Sequence, residues 1–319
     1  MTGFTSDDIP DCSGKTALVT GANTGLGYAI SEALARKGAE VILACRDEEK
    51  GEAARARIAE TAPEANTRYL QLDLADLDSI KAAAAKAKKE KRLDLLINNA
   101  GIMVPPLRLE MGVESQFAIN HLGHFALTGL LLNKLTKSAG KKGHARIVNQ
   151  ASIAHKGARI DFDNLDGSKG YLRQKFYGQS KLANLLFTFE LDRRLRAAQS
   201  NVSAYACHPG IAGTELMRNL GPFAFMGKVV GAVLNNPDEG ALPALMAATS
   251  PDAEPGGYYG PYGLVEISGR SAGRAIATAT ARDPLLAARL WDKSIELTGI
   301  DPGLAPDAAP YLGDISSES

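Results

Sequence analysis

"TGANTGLG" occupies residues 20–27. An apolar run, "TALVT" (16–20), leads into it, and a stretch of helical periodicity from residue 26 to 37 leads out. Gly21, Gly25 and Gly27 are spaced G-x3-G-x-G, with Asn23, Thr24 and Leu26 filling the turn. Glycine at such a junction lets the backbone turn tightly and come close to a pyrophosphate. The phosphates then meet the free N–H groups at the start of the helix. A strand before, a helix after and a place at the first strand are the context that a dinucleotide site requires.

Working outward, short β-branched runs alternate with long helical patterns. The strand candidates are "TALVT" (16–20), "EVILAC" (40–45), "TRYLQLD" (67–73), "LDLLINN" (93–99), "ARIVNQA" (145–151) and "VSAYAC" (202–207). Helix candidates lie between them near 26–37, 47–61, 76–89, 111–138 and 176–198. Strands that are apolar throughout belong to a sheet covered on both faces. Strict βα alternation makes parallel βαβ units. The expected fold is α/β, a single-domain doubly wound parallel sheet, with ligands gathered at the carboxyl ends of its strands. The domain spans 1–319, with residues 1–14 as an N-terminal arm. After residue 209 the texture turns to Gly, Pro and Met, so roughly 209–319 should supply a substrate lid and C-terminal helices.

The composition excludes several function classes. Lys+Arg and Asp+Glu both number 36, so no general basic surface is offered to nucleic acid. "AAAAKAKKEKR" (82–92) reads as a charged helix end. The three cysteines, Cys12, Cys45 and Cys207, are far apart and odd in number, which suits a reduced, cytoplasmic protein. The first 14 residues are too polar for a signal peptide, and runs such as "FALTGLLL" and "LANLLFTF" are too short to span a bilayer. No membrane anchor is therefore expected. No Cys/His cluster suggests a metal site.

Two further stretches carry chemistry. The second strand ends "LACRD" (43–47). An NAD-specific site would place an acid at the strand end to hold the ribose 2′-hydroxyl. Here Cys45 is followed by Arg46, and a guanidinium suits a 2′-phosphate. Asp47 reads as the N-cap of the next helix. NADP(H) is thus the expected cofactor. In "YGQSK" (177–181), Tyr177 and Lys181 stand four apart and would share one helix face. Tyrosine is a weak acid with a pKa of about 10. A neighbouring ammonium favours the phenolate and tunes the pair toward proton transfer near neutrality.

These motifs occur in order with "LDL" (72–74), "NNAG" (98–101), "NHLG" (120–123), "NQAS" (149–152) and "HPG" (208–210). Together they resemble the short-chain dehydrogenase/reductase family over nearly the whole chain. The long stretch from Ser152 to Tyr177 with "DFDNL" inside it, together with "LACRD", "NHLGHF" and "LWDKSIELTG", is similar to the retinol-dehydrogenase-like branch. That resemblance implies NADP(H) and apolar alcohols or carbonyls. It implies Tyr177 as general acid/base, Lys181 as its partner and ribose contact, and Ser152 as the group that polarises the carbonyl. Asn120 would hold a relay water. Asp73 and Leu74 would meet the adenine, and Asn99, Ala100 and Gly101 the adenine ribose. Pro209, Gly210 and Thr214 would meet the nicotinamide end.

Other readings are weighed against this one. A non-catalytic NADP(H)-binding sensor would be favoured by loss of Tyr177, Lys181 or Ser152, and all three are present. An extended-type epimerase or dehydratase would carry G-x2-G-x2-G. His121 and His124 read as packing or hydrogen-bonding residues, His155 and His208 receive no catalytic role, and Trp291 reads as a core anchor. The segment after "HPG" (211–234) has an apolar face built from Leu216, Met217, Leu220, Phe223, Phe225 and their neighbours. A bulky apolar ketone, aldehyde or secondary alcohol is the expected substrate, and a homo-oligomer is left open.

Overall fold

The computed structural model describes residues 3–141, 143–210, 236–263, 266 and 268–306. Six strands are the ones expected: β1 (Thr16–Thr20), β2 (Glu40–Cys45), β3 (Thr67–Gln71), β4 (Leu95–Asn98), β7 (Ala145–Gln150) and β8 (Val202–Cys207). They pair in parallel in the order β3-β2-β1-β4-β7-β8. Every residue of β1 and β8 is buried, which is why these runs carry no polar alternation. The chain reverses direction across the sheet between β1 and β4, and their carboxyl ends open the crevice in which such folds bind ligands.

Helices cover both faces. On one side lie α1 (Gly25–Arg36) and α2 (Glu48–Thr61), with α7 (Pro237–Thr249) beyond them. Val19, Leu34, Val41, Ile58, Tyr205 and Leu245 form the core beneath. On the other side lie α3 (Leu77–Ala87), α5 (Gly123–Ala139), α6 (Arg173–Ala197) and α9 (Pro284–Thr298), with the short α8 (Ala279–Arg282) leading into α9. Their core includes Leu18, Leu96, Leu127, Ile147 and Leu191.

The structure differs from the expectation in three places. Residues 111–114 are not helical. Met111 (φ 51°) and Gly112 (φ 77°) form a two-residue turn joining β5 (Leu109–Glu110) to β6 (Val113–Glu114). Two successive positive φ values suit a hairpin turn, and the apolar Met111 hid that signal within helical periodicity. The helical run starts as α4 (Ser115–Phe117), widens into a π turn at Ala118–Leu122, and continues as α5. Two short strands also extend the sheet: β9 (Tyr258–Pro261) parallel to β8, and β10 (Ala272–Arg274) antiparallel to β9. Their glycine content and length concealed them. The N-terminal arm reaches this edge, where Phe4 and Ala272 exchange both backbone hydrogen bonds at 2.8 and 2.7 Å.

Trp291 anchors α9 as expected. It is 2% exposed, meets the Phe125 ring edge-on at 5.3 Å and the Phe187 ring at 6.0 Å, and carries the Arg194 guanidinium 4.4 Å above its own ring. Trp291→Ala should lower the unfolding free energy by about 3–5 kcal/mol, the usual cost of emptying a large aromatic site. Urea denaturation measures this, and a loss under about 1 kcal/mol would show that α9 is not part of the cooperative core.

Candidate active site

The glycine turn folds as its spacing demands. Gly27 lies so close to the preceding turn that a Cβ there would sit 2.2 Å from the Gly21 carbonyl oxygen and 2.7 Å from Asn99 Nδ2. Thr24 occupies the N-cap position of α1 in extended conformation, with no side-chain cap bond. The first-turn N–H groups are therefore left for a ligand.

A cleft of about 810 Å³ starts at this turn, where Gly21, Asn23, Thr24, Gly25, Leu26 and Gly27 line it. It runs past Asn99, Ala100 and Gly101 to Ser152, Tyr177 and Lys181, and closes against Pro209 and Gly210. A second hollow of about 240 Å³ shares Gly21, Asn23, Ala100 and Gly101 and holds Arg46, Asp73 and Leu74. The structure thus brings together every candidate residue but two. Asn120 stands just behind the cleft wall. Thr214 and the apolar segment 211–234 lie outside the described residues.

Arg46 is exposed at the rim of the second hollow and makes no hydrogen bond or ion pair among the described residues. Asp47 is the N-cap of α2, accepting from Lys50 N at 3.1 Å, and its other oxygen pairs with Lys50 Nζ at 2.9 Å. Both oxygens are thereby turned to its own helix. Asp73 Oδ1 accepts from Ala75 N at 2.9 Å, which shapes the turn after β3.

On the opposite wall, α6 carries Tyr177 and Lys181 on one face, with the ammonium 5.6 Å from the phenol ring centroid. Lys181 is buried, and its Nζ donates to the Gln150 carbonyl at 3.2 Å. The same carbonyl accepts from Asn184 Nδ2 at 2.9 Å. Ser152, two residues beyond the end of β7, receives a bond from Ala154 N at 3.2 Å on its hydroxyl oxygen. At Gly101 a Cβ would lie 3.1 Å from Asn120 Oδ1 and 3.5 Å from Lys181 Nζ, so the backbone there passes close by both.

Asn120 sits in the π turn. Its Oδ1 accepts from Ile102 N at 2.8 Å, and its Nδ2 donates to Ile102 O and Ser180 Oγ, both at 3.0 Å. The side chain therefore clamps the loop after β4 to α6. π turns of this kind concentrate at functional sites.

The buried histidines are hydrogen-bonding residues. His124 Nδ1 faces Asn120 O at 3.0 Å, an acceptor only, so Nδ1 carries the proton. Nε2 then accepts from the Thr20 hydroxyl at 2.9 Å. Thr20 Oγ1 in turn accepts from Asn99 N at 2.9 Å and Ala100 N at 3.0 Å. By the same logic His155 Nδ1 donates to Ser152 O at 2.7 Å. Burial pushes His124 down to about 4 and His121 down to about 3. Sequence reasoning missed Thr20, Gln150 and Ser180. Gln150 acts through its main-chain carbonyl, which no side-chain motif reveals.

Comparison with known proteins gives the family. A profile described as short chain dehydrogenase matches residues 15–223. The chain belongs to the short chain dehydrogenase family. Retinol dehydrogenase 12 of Mus musculus is 42% identical over 291 residues, covering 90% of this chain and 87% of that protein. Retinol dehydrogenase 13 of Homo sapiens is 41% identical over 313 residues, covering 94% and 89%. Among solved structures, an uncharacterised protein from Mycobacterium paratuberculosis superimposes with a TM-score of 0.77 at 39% identity, over 95% of this chain and 100% of that one. The RhlG/NADP active-site complex of Pseudomonas aeruginosa gives 0.61 at 26% identity, over 78% and 94%. Within the family the chain falls in the retinol-dehydrogenase-like branch. It is a family oxidoreductase that uses a nicotinamide cofactor. No helix among the described residues is long and apolar enough to cross a membrane, and no metal-ligating cluster occurs among them.

His124 gives this site a pH signature. Its folded pKa is depressed, so the folded chain keeps it neutral while the unfolded chain protonates below about 6.5. The stability it contributes is complete above about 6.5 and drains away as pH falls toward 4. His124→Asn keeps a donor for Asn120 O and should reduce proton uptake on unfolding at about pH 5 by roughly one proton. Calorimetry in buffers of different ionisation heat reads this number. Unchanged uptake would mean that the histidine is charged in the folded state.

Proposed function

We propose that this oxidoreductase is NADP(H)-dependent and interconverts a bulky apolar ketone or aldehyde with its alcohol. The observation that carries the reading is the single cleft with a glycine-lined helix N-terminus at one end and Ser152, Tyr177 and Lys181 at the other. The names of the retinol dehydrogenases to which the chain is similar support an apolar alcohol or carbonyl, and the RhlG/NADP complex supports the phosphorylated cofactor.

The cradle suits a dinucleotide: the Gly27 approach leaves no room for a side chain, and the uncapped start of α1 offers N–H groups to a pyrophosphate. Asp73 and Leu74 would flank the adenine, Asn99, Ala100 and Gly101 its ribose, and Pro209 and Gly210 the nicotinamide end. Arg46 would hold the 2′-phosphate, because Asp47 is committed to its own helix. When bound, the nicotinamide supplies or accepts the hydride.

The remaining steps belong to the chain. As negative charge develops on the carbonyl oxygen, the Ser152 and Tyr177 hydroxyls donate to it. Tyr177 delivers the proton in reduction and takes it back in oxidation. Lys181, fixed on the Gln150 carbonyl, favours the phenolate and would also hold the nicotinamide ribose. Asn120, held by Ile102 and Ser180, would stand beside a relay water that leads from Lys181 toward solvent. The three buried free thiols support a reducing, cytoplasmic setting.

A panel of ketones and aldehydes mixed with NADPH, followed by nicotinamide absorbance, tests the reading; no turnover on any apolar carbonyl or alcohol would reject it. Tyr177→Phe should keep NADPH binding and lose turnover by at least about 10²-fold. Near-normal rates in that variant would remove Tyr177 from the proton step. Arg46→Ala should weaken NADPH about 10–100-fold, matching roughly 1.5–3 kcal/mol for charge-assisted hydrogen bonds, and barely touch NADH. Equal losses for both cofactors would refute the 2′-phosphate role.

A further inference from the structure

Val104 has φ 49°, a conformation that β-branched residues rarely adopt. It lies in the loop that leaves β4 through Gly101 and Ile102, both of which line the cleft. Strain of this kind persists only where the surroundings enforce it, and it collects at functional sites. The surroundings here are a buried polar hub that the sequence did not reveal.

Gln116 Oε1 accepts the Val104 N–H at 2.8 Å. Its Nε2 lies 3.2 Å from Glu114 Oε1, 3.2 Å from the Tyr171 hydroxyl and 3.1 Å from Arg173 O. The Tyr171 hydroxyl reaches Pro105 O at 2.9 Å and Glu114 Oε1 at 3.1 Å, two acceptors that share its one proton. Burial and then the Glu114 charge push Tyr171 up to about 12, so it stays a donor. Glu114 is wholly buried, and its Oε2 caps α4 through Gln116 N and Phe117 N at 3.0 and 3.2 Å. Glu114 and Gln116 begin the helical run that holds Asn120. Tyr171 stands just before α6, which holds Tyr177. The hub therefore touches three segments at once: the strained loop, the approach to Asn120 and the approach to Tyr177. Two large apolar side chains stand exposed beside the hub, Leu107 on the loop (45%) and Leu172 just before α6 (68%).

We propose that Glu114, Gln116 and Tyr171 are positioning residues that hold the 102–107 loop in its strained form and so set which apolar carbonyl substrates the cleft accepts. The substrate class rests on the reading given under Proposed function; the hold on the loop does not.

Gln116→Met keeps the side-chain length and removes the acceptor for Val104 N–H. Tyr171→Phe removes the bond to Pro105 while keeping the ring. Each should leave the NADPH Kd within about twofold. Across a homologous series of straight-chain aldehydes, KM for the longer members should rise about tenfold with kcat changed by less than about threefold, the mark of lost substrate binding rather than lost chemistry. Glycine adopts positive φ freely, so in a Val104→Gly background Gln116→Met should raise KM by less than about threefold. The proposal is overturned if kcat and NADPH affinity fall together with Tm, if KM stays unchanged, or if Val104→Gly leaves the Gln116→Met effect intact. Should the wild-type protein turn over no apolar carbonyl or alcohol, the functional reading fails by itself. Deuterium uptake at residues 102–108 then decides the loop: faster exchange in Gln116→Met supports the hold, and equal exchange overturns it.

Discussion

The hydroxyl of Thr20, at the end of the first strand, joins the two halves of this enzyme. It accepts the backbone N–H groups of Asn99 and Ala100 and donates to a neutral His124, which in turn donates to the carbonyl of Asn120. One buried oxygen thus fixes the glycine turn, the loop after β4 and the π turn relative to one another. Buried polar groups are costly unless satisfied, and a satisfied chain of them admits few alternative arrangements. The tautomer of His124 follows from this chain, and burial keeps the ring uncharged.

The wall proposed as catalytic is built by the same rule. Lys181 and Asn184 share the Gln150 carbonyl, and Asn120 and Ser180 share a hydrogen bond that ties the π turn to α6. These anchors hold the stretch of α6 that presents Tyr177 and Lys181 on one helical face. Ser152 is fixed from behind, since His155 holds its carbonyl through both the main-chain N–H at 3.1 Å and the ring at 2.7 Å. Catalysis by charge stabilisation depends on donors that are already aimed, and in the proposed reaction these bonds fix the segments that carry them.

The fold was legible because its signals are local. Apolar strands, glycine at a strand–helix turn and helical periodicity each follow from nearest-neighbour chemistry, and six strands formed where those signals lay. The Asp47 cap was legible for the same reason, since its partner is three residues away. The hairpin at Met111–Gly112 was misread because an apolar residue in a turn continues the helical pattern. The short strands β9 and β10 were missed because their pairing, more than their composition, makes them strands.

By itself, the sequence determined the six parallel strands and the glycine turn, and it marked Tyr177, Lys181, Ser152 and Asn120 as candidates. Each depends on residue type and short-range spacing. Tertiary structure alone decided which groups hold them. Thr20 and His124 are 104 residues apart, Gln116 and Tyr171 55 apart, and Lys181 and the Gln150 carbonyl 31 apart. Such bonds form between segments that only the packed sheet brings together, and several use main-chain atoms that every residue possesses. A sequence marks the groups that perform chemistry, because chemistry requires particular side chains. It leaves unmarked the groups that position them, because many residue types could do so and only the folded geometry selects one.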